Sequence, residues 1–110
     1  MAIVKITGAS GTGKSFVAAA LRNNQISNGH GALLIDEQNE GELDIMLEKI
    51  IVGVNLPKEI PKNWAEIIPW KPNSSIILVG EKVSLLGDIE KRLPGFTDVF
   101  SPVYEINLNA

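Results

Sequence analysis

Cysteine is absent from this 110-residue chain, which rules out disulfides and cysteine-ligated metals. That absence fits a reducing compartment. Histidine occurs once, as His30 between Gly29 and Gly31, with no second His or Cys nearby to complete a metal site. It reads as a turn residue. No dense basic run exists: Lys and Arg total 10 against 13 acids, leaving a net charge of −3. That balance argues against coating nucleic acid or an anionic membrane through overall charge. No window approaches about 18 uninterrupted apolar residues, so no membrane-spanning helix is expected. The opening MAIVKITGAS lacks the charged leader and apolar stretch of a signal peptide. A soluble, cytoplasmic protein is the expectation. Internal repeats and low-complexity segments are absent as well.

What is present has ordinary globular composition, 45% hydrophobic and 21% charged. The length suits one domain, residues 1–110, with a core large enough for a sheet and packed helices. Four short apolar runs alternate with segments of helical character. Ala2 to Thr7 comes first, followed by a helix around Phe16, Val17, Ala18–Ala20 and Leu21 that frays through Asn23–Asn28 and stops at Gly29. The second run, Ala32 to Ile35, ends in Asp36-Glu37. Asn39 then stands three residues before Glu42 in a capping-box-like start. Leu43, Met46, Leu47, Ile50 and Ile51 follow at helical spacing, with Gly53 as the stop.

Between about 54 and 74 the texture turns irregular. Pro57, Pro61, Pro69 and Pro72 fall here with both tryptophans, and Asn63 and Glu66 could cap one helical turn near Trp64–Ile68. Trp64 and Trp70 fit a small core beneath the loop better than a stacking or partner-binding patch. The third run, Ser75 to Val79, precedes Leu85, Ile89 and Leu93, a helix that Pro94-Gly95 ends. The last run, Val103 to Asn109, alternates strictly, which predicts one wet and one dry face and an edge position. The second and third runs are apolar throughout, which predicts the sheet centre. The order is α/β: a mainly parallel sheet of about four strands in a three-layer α/β/α arrangement.

One segment carries chemistry. Gly8-Ala9-Ser10-Gly11-Thr12-Gly13-Lys14-Ser15 matches G-x-x-x-x-G-K-[ST] without a mismatch, between an apolar strand and a helix. Gly8, Gly11 and Gly13 permit backbone angles and close approaches that a Cβ would block. Successive N–H groups from Gly11 to Ser15 can then converge on an anion, and the helix start adds its positive dipole end. Lys14 would reach the β- and γ-phosphates, and the Ser15 hydroxyl would ligate Mg²⁺.

At these residues the chain resembles the P-loop NTPase superfamily, specifically over Ile3–Ser15 and in element order beyond. The resemblance implies a P-loop NTPase-like fold, a nucleoside triphosphate with Mg²⁺ (most simply Mg-ATP), and hydrolysis or phosphoryl transfer. Its implied nucleotide contacts run from Gly8 through Phe16. It also implies an apolar strand ending in an acid that holds Mg²⁺ through water, often followed by a Glu that polarises the attacking water.

Ala32–Ile35 followed by Asp36 and Glu37 fits that second pattern letter for letter, one strand earlier than in most members. The later strand, Ile76–Val79, ends in Gly80-Glu81, with glycine in the acid's place. Asp36 is the favoured metal-side acid beside Ser15, with Glu37 or Glu81 near the γ-phosphate. On this reading Glu81 is the nearer acid if the third strand neighbours the first. The plainer alternative makes Asp36 and Glu37 an ordinary strand end and turn. The acids of 36–44 suit a solvated helix start. No Asn/Thr-Lys-x-Asp sequence reads guanine. Of the two arginines, Arg22 and Arg92, the latter suits a solvated helix end better than a transition-state role. An ATPase and a slowly turning nucleotide-binding module both remain open, with a small phosphotransferase less supported. Self-association or a protein partner could complete the site.

Overall fold

Alternation along the strands decides how this chain folds. In the computed structural model, which describes residues 1–37, 42–70, 73–83 and 85–109, the predicted elements are present in sequence with one short helix added. They are β1 (Ala2–Thr7), α1 (Lys14–Ser27), β2 (Ala32–Asp36), α2 (Leu43–Gly53), α3 (Trp64–Ile67), β3 (Ser75–Gly80), α4 (Leu86–Arg92), α5 (Phe96–Val99) and β4 (Val103–Asn107). The four strands form one all-parallel sheet in the order β2-β3-β1-β4. Parallel strands need crossover connections, and helices supply them on both faces. The result is an α/β sheet compatible with a three-layer α/β/α arrangement.

Because side chains alternate, each strand feeds two cores. Ile6, Ile77 and Val79 pack with Ala18 of α1, joined by the half-buried Leu34. Ile3, Ile35, Ile76 and Leu78 face the other way, against Met46, Leu47 and Ile50 of α2, Ile89 of α4 and Phe96 of α5. Register agrees with this division: Ile6 and Asp36 both stand opposite Val79, whereas Thr7 stands opposite Gly80. Each fully buried Ile or Leu is worth about 1.5–3 kcal/mol. A one-residue slip would exchange the two sets, so the register is held firmly.

Four expectations need correction. The second apolar run is an edge strand, since β2 ends the sheet order and pairs with β3 alone. Its residues are covered from both faces, Leu33 against the α2 side and Leu34 against the α1 side. Covered faces do not report lateral position, which the crossover sets. The last run does form the opposite edge, yet β4 has no dry face. All five of its residues are exposed, Tyr104 at 55%. The first helix does not fray through Asn23–Asn28 but stays intact to Ser27, with Asn28 as its cap. Finally, α5 was not predicted; the Glu90 carboxylate builds its first turn by accepting from Gly95 N–H and Thr97 N–H at 2.9 and 2.8 Å.

The capping-box Asn39 lies outside the described residues. α2 itself begins at Leu43, with Met46, Leu47 and Ile50 buried as its spacing predicts. The single turn at Trp64 is present without a side-chain cap. Among the described residues no helix is long and apolar enough to cross a membrane.

Candidate phosphate-binding site

β1 ends at Thr7 and the chain turns at once through Gly8, whose φ is 155°. A Cβ there would come within 2.7 Å of Thr12 Oγ1 and 3.2 Å of Leu108 Cβ, so only glycine fits. Gly11 and Gly13 take left-handed φ values of 83° and 89°, which brings the chain round to enter α1. Gly13 is the cap residue of that helix. No side chain caps it, and its first turn holds no acid. The opening N–H groups of an α-helix have no intrahelical acceptor. Here they open from a glycine-rich loop that carries no acid of its own. Such a helix start favours an anion.

The loop is organised around one carbonyl. Ala9 O accepts from Thr12 N–H at 3.3 Å, from the Thr12 hydroxyl at 2.7 Å and from Lys14 Nζ at 2.9 Å. Lys14 is only 7% exposed, so its stem is packed and its ammonium is carried inside the curl of the loop. Ala9 N–H in turn donates to Asn109 Oδ1 at 2.8 Å.

Ser10, Gly11, Gly13, Lys14, Ser15 and Phe16 line a cleft of about 280 Å³. Asp36 and Val79 close its far side. Phe16, in the first turn of α1, is 80% exposed at the rim. A larger groove of about 500 Å³ lies between β2 and α2, but Leu33, Leu34, Ile45 and Val52 give it an apolar wall with no anion-binding loop. Size does not select the site here; chemistry does.

The place of the acids departs from the sequence argument. β3 is the strand beside β1, an arrangement expected to make Glu81 the nearer acid. Yet the cleft is lined by Asp36, and Glu81 is an exposed residue outside its lining. The reason is alternation. Asp36 shares the α1 face with Leu34, and across β3 it stands opposite Val79, an apolar side chain that does not block it. Glu37 follows on the opposite face, half-buried, with its Cβ beside Gly80. Ser15 and Asp36 therefore share one cleft as hydroxyl and carboxylate, the hard oxygen donors that Mg²⁺ takes together with water and phosphate oxygens. Among the described residues no group of three or more His, Cys, Asp or Glu could hold a metal without such help.

Other candidates fall away from the cleft. The Trp64 ring stacks on Phe100 at 6.5 Å and donates to Pro94 O; Trp70 meets Phe100 edge-on at 5.7 Å and donates to Gly53 O. Both serve the core. His30 Nδ1 lies 3.0 Å from Gln25 Oε1, and Arg92 pairs with Asp44 at 3.3 Å in solvent. Two residues escaped notice in the sequence. Thr7 is 5% exposed, with a buried hydroxyl that has no hydrogen-bond partner among the described residues. Asn109 holds Ala9 from 100 residues away. No local pattern marks either one. No protein-family model matches this chain, and no curated protein matches it.

Proposed function

We propose that this chain is a P-loop NTPase-like protein that binds a nucleoside triphosphate as its magnesium complex, most simply Mg-ATP, and hydrolyses it. The observation that carries this is the loop itself: a lysine ammonium and an uncapped helix start converge on one cleft. Lys14 sits on Ala9 O at 2.9 Å, a neutral acceptor that phosphate oxygens would replace with charged ones. Charge-assisted bonds are roughly twice as strong as neutral ones, so the exchange favours the nucleotide. First-turn N–H groups of α1 would hold the phosphates in place at no reorganisation cost.

Ser15 and Asp36 are the residues that would hold the metal, which when bound would offset negative charge on the phosphates. Glu37, half-buried one residue further along and outside the cleft lining, would have to turn toward the γ-phosphate to accept the proton of an attacking water. Phe16 offers an aromatic face at the rim against the base or ribose.

A second reading, a nucleotide-binding module with little turnover, is favoured by Gly80, which leaves no acid at the end of the strand beside β1. Calorimetry with Mg-ATP and a phosphate-release assay separate the two. Lys14→Ala should weaken binding by about 10- to 100-fold, the equivalent of one lost bond to a charged group. Asp36→Asn should keep nucleotide binding and abolish release. Wild-type protein that binds but releases no phosphate supports the module instead. Indifference to triphosphate and pyrophosphate alike removes both.

A further inference from the structure

The loop is gripped from two sides, and only one grip belongs to the motif. Past β4 the ladder continues by one bond, Leu108 N–H to Thr7 O at 2.8 Å. The Leu108 side chain packs onto the Ile6, Ala18, Ile77 and Val79 cluster beneath α1 and lies close over Gly8. Asn109 N–H then donates to Asn107 Oδ1 at 2.8 Å, an Asx-type turn that sets the direction of the next side chain. That side chain accepts from Ala9 N–H, also at 2.8 Å.

Ala9 is consequently held at both of its polar groups. Its N–H goes to Asn109, while its carbonyl gathers Thr12 and Lys14. Among the described residues no other residue of the loop has both of these ties, and the carbonyl is the parking place of the lysine that the proposed function needs.

We propose that Asn109 is a positioning residue for phosphate binding: by holding the Ala9 amide it keeps the loop curled and Lys14 at its mouth before the ligand arrives. This rests on the triphosphate reading above. The physical gain is preorganisation. A loop ordered beforehand does not lose that freedom on binding, and the saving appears as affinity. One exposed neutral hydrogen bond is modest, so an effect of about 3- to 10-fold is expected.

The test uses the full chain with Mg-ATP and inorganic pyrophosphate as calorimetric probes, and amide exchange at Ala9 as the local readout. Asn109→Ala should weaken both ligands by about 3- to 10-fold and speed Ala9 exchange in the unliganded protein. Asn109→Asp, which keeps a side-chain oxygen acceptor, should restore Ala9 protection. Lower global stability alone would not move affinities measured well below the melting transition. Wild-type affinity in Asn109→Ala, with wild-type protein binding normally, overturns this inference and leaves the triphosphate reading standing. Wild-type protein that binds neither probe overturns that reading and this inference with it.

Discussion

Glu37 occupies space that Gly80 leaves open: a Cβ built on Gly80 would sit 3.3 Å from the Glu37 Cβ, tighter than most real contacts. The two lie on neighbouring strand ends, with Thr7 next in the same row, since Thr7 and Gly80 are register partners. Glycine at the end of β3 therefore has a reason other than a lost acid. It leaves room for Glu37, the residue that follows β2.

Gly80→Ala accordingly should push Glu37 aside by a few tenths of an ångström or more while leaving Lys14, Ser15 and Asp36 in place. Overpacking costs about 1–3 kcal/mol, partly offset by about 0.5–1 kcal/mol from replacing glycine within a strand. The expected outcome is a fold still intact, nucleotide affinity unchanged in calorimetry and phosphate release lowered about tenfold, because small misplacements of a reacting group are costly. Unchanged release would remove Glu37 from the proposed chemistry.

Glu90 supplies a pH dependence unrelated to the cleft. Burial pushes its carboxyl up, but bonds from Thr97 N–H, Gly95 N–H, the Thr97 hydroxyl and Phe96 N–H outweigh that and hold it below the usual 4.5. A depressed carboxylate stabilises the fold fully above the unfolded value and loses that contribution as pH falls through the folded one. Glu90→Ala should cost about 1 kcal/mol at neutral pH after solvent screening. In urea unfolding the difference from wild type should persist down to about pH 4.5 and shrink below it.

Phe100 joins the three aromatic contacts that close the irregular segment: Trp64, Trp70 and Phe96 all pack on it, with ring centroids 5.1–6.5 Å away. Truncation to Ala should cost about 3–5 kcal/mol, a large share of the roughly 5–15 kcal/mol that a domain has in all. Because neither indole lines the phosphate cleft, Mg-ATP should leave wild-type tryptophan emission unchanged while urea shifts it. A nucleotide-dependent change in that emission would return a tryptophan to the site.

Much of this arrangement is legible in the chain. The loop from Gly8 to Ser15 is, because its geometry depends on glycines and a helix start that are neighbours in sequence. Met46, Leu47 and Ile50 are legible for a similar reason, since helical spacing puts them on one stripe that must find an apolar partner. The lateral place of β2 was not, because its apolar residues report covered faces and say nothing of what lies at the strand's side. The exposure of Tyr104 and Ile106 was hidden likewise: alternation describes two faces without showing that anything covers either.

Local spacing thus settled the strand–loop–helix unit and the element order, for those follow from interactions a few residues long. Which acid enters the cleft was settled by sheet order and side-chain parity together, properties of strands paired far apart in the chain. The same holds for the grip of Asn109 on Ala9, since a hydrogen bond spanning 100 residues exists only once β4 has docked beside β1.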